Sequence, residues 1–514
     1  MPEDTIHRYA PIEARAGWEH EPTFHESLDE WMTRAPWVLL SGAAHFVAFL
    51  VFAAIPWSSF EEPTIVCIIA DIETPPEEII DDEEIPIEPI EPVPFETEPI
   101  LDSFEVDPNV ESTDDSDMPE GDPTNTSEAP FELSHTNAIL GVGPGGGSKF
   151  GTRFGSGDGK RPGGRQANAA VTAGLKWLAE HQDESGAWDS DGFAKHDPAG
   201  DVCTGPGAPA HDTGVTGLAL LAFLGDGHTM TRGLYRDTVV RGITRLISDQ
   251  DRETGALAME IGKGYMYDHA IATLALAEAL YATPSPILAN RAQLAVNYIT
   301  RARNPYRVWR YSHQPEELND TSVTGWMIFA LKAAEDAGLK VDQDAYAAAI
   351  EWFDEVTDPT TGRAGYTQQG SASSRVPGLN DEHPVDRGEA LTAVTLLCRY
   401  FLGQSPEDTP IMEKHAALLL SALPEWNEEA RICDMYYWYY GSYALYQVGG
   451  SRWKKWNKAL KGAVIDSQRK DGSHEGSWDP VGPWGHAGGR VYSTATMVLT
   501  MEVYYRYSRL LGSR

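Results

Sequence analysis

Apolar residues recur at three- and four-residue spacing in twelve segments between Arg165 and the C-terminus, and the segments come in pairs. The first members are "NAAVTAGLKWLAEH", "LYRDTVVRGITRLISD", "NRAQLAVNYITRAR", "DAYAAAIEWFDEV", "EKHAALLLSAL" and "RWKKWNKALKGAVIDS", which carry charged positions on one face. The second members are "HDTGVTGLALLAFL", "MYDHAIATLALAEALY", "NDTSVTGWMIFALKAA", "VDRGEALTAVTLLCRYF", "CDMYYWYYGSYALYQV" and "RVYSTATMVLTMEVYYRY", apolar nearly all round. Amphipathic helices cover a core and helices apolar on every side lie inside it. The pattern therefore predicts an all-α domain of six helical hairpins in two layers. Neither terminal pair has the polar face that caps an open solenoid, so the hairpins are expected to close into a ring.

In such a ring all inner helices run the same way, and their starts gather at one mouth. Asp212, Asp268, Asp320, Asp386 and Asp434 are each expected to precede an inner helix. Repeated N-capping is the plain expectation for them, since a carboxylate accepts the unpaired N–H groups of a first turn. The functional alternative is a set of reactive groups around the opening: His211, Asp212, Asp268, His269, Cys433, Asp434, His486, Arg490 and Tyr492. Positive helix ends there would favour anions.

The connections within pairs share a Gly and an aromatic: "QDESGAW", "QDRETGAL", "TGRAGY" and "QRKDGSHEGSW". Gln182, Gly186 and Trp188 fit the Gln-x-x-x-Gly-x-Trp motif, and with the helix pairs they resemble the prenyltransferase and squalene oxidase repeat of squalene cyclases. The resemblance implies an (α/α)6 toroid over residues 165–514. It is not specific for a reaction, because these aromatics brace the ring.

Three enzyme chemistries go with that resemblance. Class II terpene cyclases use an Asp-x-Asp-Asp acid, which is absent between Arg165 and Arg514. Protein prenyltransferases hold zinc with Asp, Cys and His, to which Asp201, Cys203 and His269 correspond in type but not in placement. Toroids also host glycan lyases and glycosidases, for which Asp212, Asp268, His486, Arg490 and Tyr492 would supply an acid–base set. The segment "YYWYYGSYALY" holds too many aromatics for one helix face. Tyr436, Tyr437, Trp438 and Tyr440, with Trp484 from a Gly-rich loop, either pack the core or line a site for an isoprenoid, a lipid tail or a sugar ring. The leading expectation is a module that binds a ligand or partner in the ring's cavity. The alternative is an isoprenoid- or glycan-processing enzyme.

The rest of the chain changes the setting. Residues 35–57 include 21 uncharged positions from Trp37 to Trp57, enough for a helix of about 31 Å, which spans a bilayer. Arg34 is the last positive charge before Lys149, so the positive-inside rule places residues 1–34 in the cytoplasm and the C-terminal domain outside, as in a single-pass inner-membrane protein with a periplasmic domain. Residues 58–134 carry 25 Asp/Glu, 12 Pro and no Lys or Arg. Together with the Gly-rich run that follows, they make 58–164 an extended, disordered tether. The net charge of −37 resides mostly in that tether, and no basic footprint points to nucleic acid. Ser41 and His45 share one face of the membrane helix. With the Pro/Glu run behind them, they resemble the N-terminal segment of TonB-type energy transducers, which implies docking to a proton-driven motor complex. The four cysteines show no CxxC spacing, and their redox state stays open.

Overall fold

The computed structural model describes residues 45–47, 163–259, 264–305, 307–314, 318–385 and 388–506. Contacts divide the chain after Asp107, and the second unit contains the helical domain. The membrane helix expected over 35–57, the polar residue Ser41 and the tether lie outside the described residues, apart from helical His45, Phe46 and Val47 and the two glycines, Gly163 and Gly164, that lead into the first helix of the domain. Among the described residues no helix is long and apolar enough to cross a membrane.

All twelve expected helices are present. The outer ones are α1 (Gly164–Glu180), α3 (Arg236–Asp249), α5 (Pro286–Arg301), α7 (Asp344–Val356), α9 (Ile411–Leu419) and α11 (Gly450–Ile465). The inner ones are α2 (Asp212–Gly225), α4 (Tyr265–Ala282), α6 (Thr321–Asp336), α8 (Ala390–Phe401), α10 (Met435–Val448) and α12 (Gly485–Met501), with a short α13 (Val503–Arg506) behind them. The described residues contain no strand, only an isolated bridge between Thr357 and Ala364. Each inner helix packs on the next, and α12 packs on both α2 and α1, which closes the ring. The domain is thus all-helical and consistent with an α/α toroid.

The motif residues explain how hairpins join. Trp188, Trp309 and Trp478 are fully buried. Each donates its indole N–H to a carbonyl near the end of its own outer helix: Leu178, Ile299 and Val464, at 2.7, 2.8 and 2.7 Å. Their backbone N–H groups turn the other way, to Thr216, Thr324 and Thr494 on the following inner helix. One aromatic residue therefore terminates one helix and locates the next, while burying an area that makes it a large contributor to the core.

The glutamines tie neighbours together. Gln182 donates to the carbonyls of Gly186 and of Thr238 on α3, and Gln250 does the same to Gly255 and to Arg291 on α5. Gln468, from the last repeat, donates to Gly476 and to Ala170 on α1. Gly186, at φ 91°, lies against α3 so closely that a Cβ would stand 2.3 Å from the Arg241 carbonyl oxygen. Only glycine satisfies both that dihedral and that approach.

The expected ring of five Asp caps is only partly realised. Asp320 and Asp434 are N-caps, accepting the N–H groups of Val323 at 2.8 Å and Tyr437 at 3.0 Å. Asp212 instead opens α2 and turns outward to the Ser190 N–H. Asp268 sits inside the first turn of α4 and pairs with a side chain, while Asp386 lies outside the described residues.

Candidate functional site

The inner helices start at one mouth, and two groups of polar side chains meet there. The first is an acid–base pair. His211, immediately before α2, places Nδ1 2.9 Å from Oδ2 of Asp268 in α4. The His211 side chain keeps 24% of its exposure, whereas Asp268 keeps 6%. The Asp268 hydrogen bond raises the His211 pKa, against burial. Asp268 is itself pushed up by burial, with His211 pulling it back. Such a pair fixes the imidazole's orientation through Nδ1 while the side chain stays partly exposed.

The pair depends on small neighbours. A Cβ on Gly214 would stand 2.1 Å from Asp268 Oδ1, and one on Gly264 would stand 2.3 Å from the His211 ring. In the sister sequence "NDTSVTG" the position of Gly214 is taken by Ser322 and that of His211 by Asn319. Among the described residues Asn319 instead receives the Asn304 side-chain N–H, and Asp320 caps its helix.

The second group is a string of hydroxyls across three inner helices. Tyr267 of α4 bonds Ser322 of α6 at 2.8 Å, and Ser322 lies 3.3 Å from the hydroxyl of Tyr436 on α10. Tyr311 and Tyr366 share a further hydroxyl contact, and the Tyr311 ring lies 6.1 Å from that of Tyr267. Tyr267, Ser322, Tyr436 and Tyr492 all retain intermediate solvent contact. Burial nevertheless pushes the Tyr267, Tyr436 and Tyr492 hydroxyls upward. These hydroxyls are thus surrounded by protein yet still partly reached by water.

Of the other expected site residues, His486 is exposed and Trp484 half-buried, their rings 6.4 Å apart. Burial lowers the His486 pKa, and nearby His211 lowers it further. Asp434 caps α10 and lies 3.5 Å from Arg375. The remaining candidates do not reach the mouth. His269 is fully buried, receiving the Leu257 N–H at Nδ1 while Nε2 faces the Ala295 carbonyl, and burial lowers its pKa to about 4. It fills the place that Thr216, Thr324 and Thr494 fill in other repeats. Arg490 is 1% exposed and bonds Thr204, Ser477 and Asp479, joining the last repeat to the first. Cys433 is buried and receives the Asn427 N–H.

Tyr437, Trp438 and Tyr440 belong to the core, at 2%, 1% and 0% exposure, so they line no water-accessible cavity. Tyr437 donates to the Leu419 carbonyl, and Trp326 packs on Tyr439 and Tyr440 at centroid distances of 6.0 and 5.5 Å. Tyr436 alone of the four stands at the opening. The zinc set Asp201, Cys203 and His269 is not assembled, because Asp201 receives the Ser473 N–H and both His269 ring nitrogens face backbone groups. Sequence reasoning missed Tyr267, Tyr311, Ser322 and Tyr366; the available signal was Tyr267 beside Asp268 and Ser322 two residues after Asp320, both at inner-helix starts.

No family model matches the chain, and no curated protein matches it. Among solved structures it is similar to a type II terpene cyclase from Scytonema, at 16% identity over 66% of this chain and 96% of that one, with a TM-score of 0.42. It is also similar to a GH76 alpha-mannanase from Bacteroides thetaiotaomicron, at 10% identity over 69% and 98% of the two chains and a TM-score of 0.44. An alpha-1,6-mannanase of Salegentibacter sp. gives 9% identity over 66% and 99%, again with a TM-score of 0.44. Likenesses this distant say nothing about what the chain does.

Proposed function

We propose that this protein is a membrane-anchored binding module that takes a hydroxyl-rich ligand of the glycan class at the mouth of its helical ring. The carrying observation is the hydroxyl string from Tyr267 through Ser322 to Tyr436, whose members keep partial exposure at the inner-helix starts, with the His211–Asp268 pair on the residue next to Tyr267. Tyrosines offer an apolar ring face and a hydroxyl together, which suits a sugar better than an isoprenoid chain. The aromatics deeper in the ring are packed on one another, which argues against an elongated apolar guest threading it. Residues 35–57 anchor the chain, with Ser41 and His45 presented to a motor complex, and residues 58–164 carry the domain outside the membrane.

A second reading, acid–base catalysis on the same ligand, is favoured by the His211 geometry, with Nδ1 clamped on a buried carboxylate and the side chain still partly exposed. One experiment addresses both. The full chain in detergent is presented to an oligosaccharide array and to isoprenoid diphosphates, and any bound glycan is followed for cleavage. Glycan binding that Ser322→Ala weakens about tenfold, the worth of one hydrogen bond of roughly 1.4 kcal/mol, supports the first reading. Cleavage lost in His211→Ala supports the second. Binding of isoprenoid diphosphates alone overturns both.

A further inference from the structure

The connection between α1 and α2 holds a second cluster, made of residues other than the His211–Asp268 pair. His181 follows the last turn of α1, and Asp197 and Cys203 lie further along the loop. Nε2 of His181 is 3.0 Å from Oδ1 of Asp197, and Sγ of Cys203 is 3.6 Å from the same oxygen. One ligand atom from each residue lies within 4.8 Å of the other two. The side chains of His181 and Asp197 keep only 5% and 2% of their exposure, and Cys203 keeps 5%. The loop residues 198–202 above them are exposed, so an ion has a short way in.

Each group is already oriented. Nδ1 of His181 lies 2.7 Å from the Trp177 carbonyl oxygen, which can only accept, so Nδ1 carries the hydrogen. The ring also stacks on the Trp177 indole at 3.9 Å. In the neutral ring Nε2 then aims a lone pair at the Asp197 carboxylate, a repulsion that either a proton on Nε2 or a metal cation between the two relieves. Oδ2 of Asp197 is held by the Cys203 N–H at 2.7 Å, leaving Oδ1 turned to the cluster. A histidine whose second nitrogen donates to a backbone carbonyl is the usual outer-shell arrangement of a metal ligand.

We propose that His181 Nε2, Asp197 Oδ1 and Cys203 Sγ form a zinc site with three protein ligands. A tetrahedral zinc, with bonds of about 2.0 Å to N and O and about 2.3 Å to S, needs ligand atoms roughly 3.3–3.7 Å apart; the Sγ–Oδ1 distance of 3.6 Å fits, the Nε2–Oδ1 distance of 3.0 Å must open slightly, and all three atoms lie within 4.8 Å of one another. The thiolate selects against calcium and magnesium. On binding, the Cys203 thiol loses its proton to solvent as the sulfur–zinc bond forms. The site lies on the seam that closes the ring: the Ser473 carbonyl of the sixth repeat receives the Trp177 indole N–H at 2.9 Å and the Cys203 thiol at 3.0 Å. All three ligands belong to the first hairpin, so zinc orders this loop beside the seam, and the Cys203 thiol gives up its bond to the Ser473 carbonyl on binding.

The test uses the full chain, reduced, stripped with chelator, incubated with Zn2+ and dialysed. One equivalent of zinc is expected in the wild type and in His269→Ala. Asp197→Asn and Cys203→Ser are expected to lose it, and Co2+ in the wild type should show a sulfur-to-metal charge-transfer band that Cys203→Ser abolishes. Because Cys203→Ser can disturb packing, the cobalt spectrum of folded Asp197→Asn serves as the independent check, with the band weakened or gone. A folded wild type that retains no zinc and shows no cobalt–thiolate band overturns the site, as does zinc that persists in both ligand variants.

Discussion

Asp268 holds Nδ1 of His211 at 2.9 Å across the gap between two adjacent inner helices, from positions 57 residues apart in the chain. The pair sets a pH dependence. The folded His211 pKa lies above its ordinary value of 6.5 because of the Asp268 hydrogen bond. Its contribution to stability is therefore complete below about 6.5 and is lost as pH rises through the raised folded value. Asp212 and His486 are the other titratable groups acting at this place. The melting-temperature gap between wild type and His211→Gln is expected to be widest near pH 6 and to narrow towards pH 9.

Gly214 makes room for that carboxylate, so Gly214→Ala is expected to displace Asp268 and cost about 1–3 kcal/mol of stability, the usual range for overpacking. The specific readout is the His211 titration followed by NMR, which should fall back towards the ordinary histidine range in the variant.

These two residues also show what the sequence made legible. The helical period revealed all twelve helices and their layers, because burial is written directly into the spacing of apolar residues. The matching heptads at His211 and Asn319 suggested one shared role for Asp212 and Asp320, yet only Asp320 caps its helix. The deciding differences are Gly214 against Ser322 and the distant Asp268, and a contact between repeats leaves no local pattern. The sequence offered Cys203 with Asp201 and His269, whereas its grouping with His181 and Asp197 escaped for the same reason: that spacing fits no motif, and only the folded loop returns these residues to the end of α1. Tyr437, Trp438 and Tyr440 fell to the core because the ring buries nearly every side of α10.

Gln468 and Gly476 contribute to the seam that closes the ring. Gln468→Ala removes both bonds to the Ala170 and Gly476 carbonyls and is expected to cost roughly 1–3 kcal/mol in urea unfolding. Gly476→Ala is expected to cost more, because φ is 92° and a Cβ would stand 2.4 Å from the Ala173 carbonyl oxygen.

At the opposite end of the inner helices, Arg506 is fully buried and reaches Glu278 at 2.8 Å and Glu502 at 3.1 Å. It also donates to the Leu221 carbonyl, so one guanidinium holds α2, α4 and the end of the chain's last helices together. Arg506→Met leaves two buried carboxylates without their cation and is expected to destabilise by about 3–5 kcal/mol. Denaturant midpoints of that variant and of the triple replacement with Glu278→Gln and Glu502→Gln check the cause, since the triple variant should recover part of the loss.

The most direct measurement of ligand capture at the mouth is calorimetric titration of the full chain with the best oligosaccharide from the array, repeated on Tyr436→Phe, His211→Ala and, as a control in the core, Tyr439→Phe. Binding that weakens in the first two variants and is unchanged in the third is the expected result. Equal affinity in all four proteins, or no heat with any glycan tried, contradicts it.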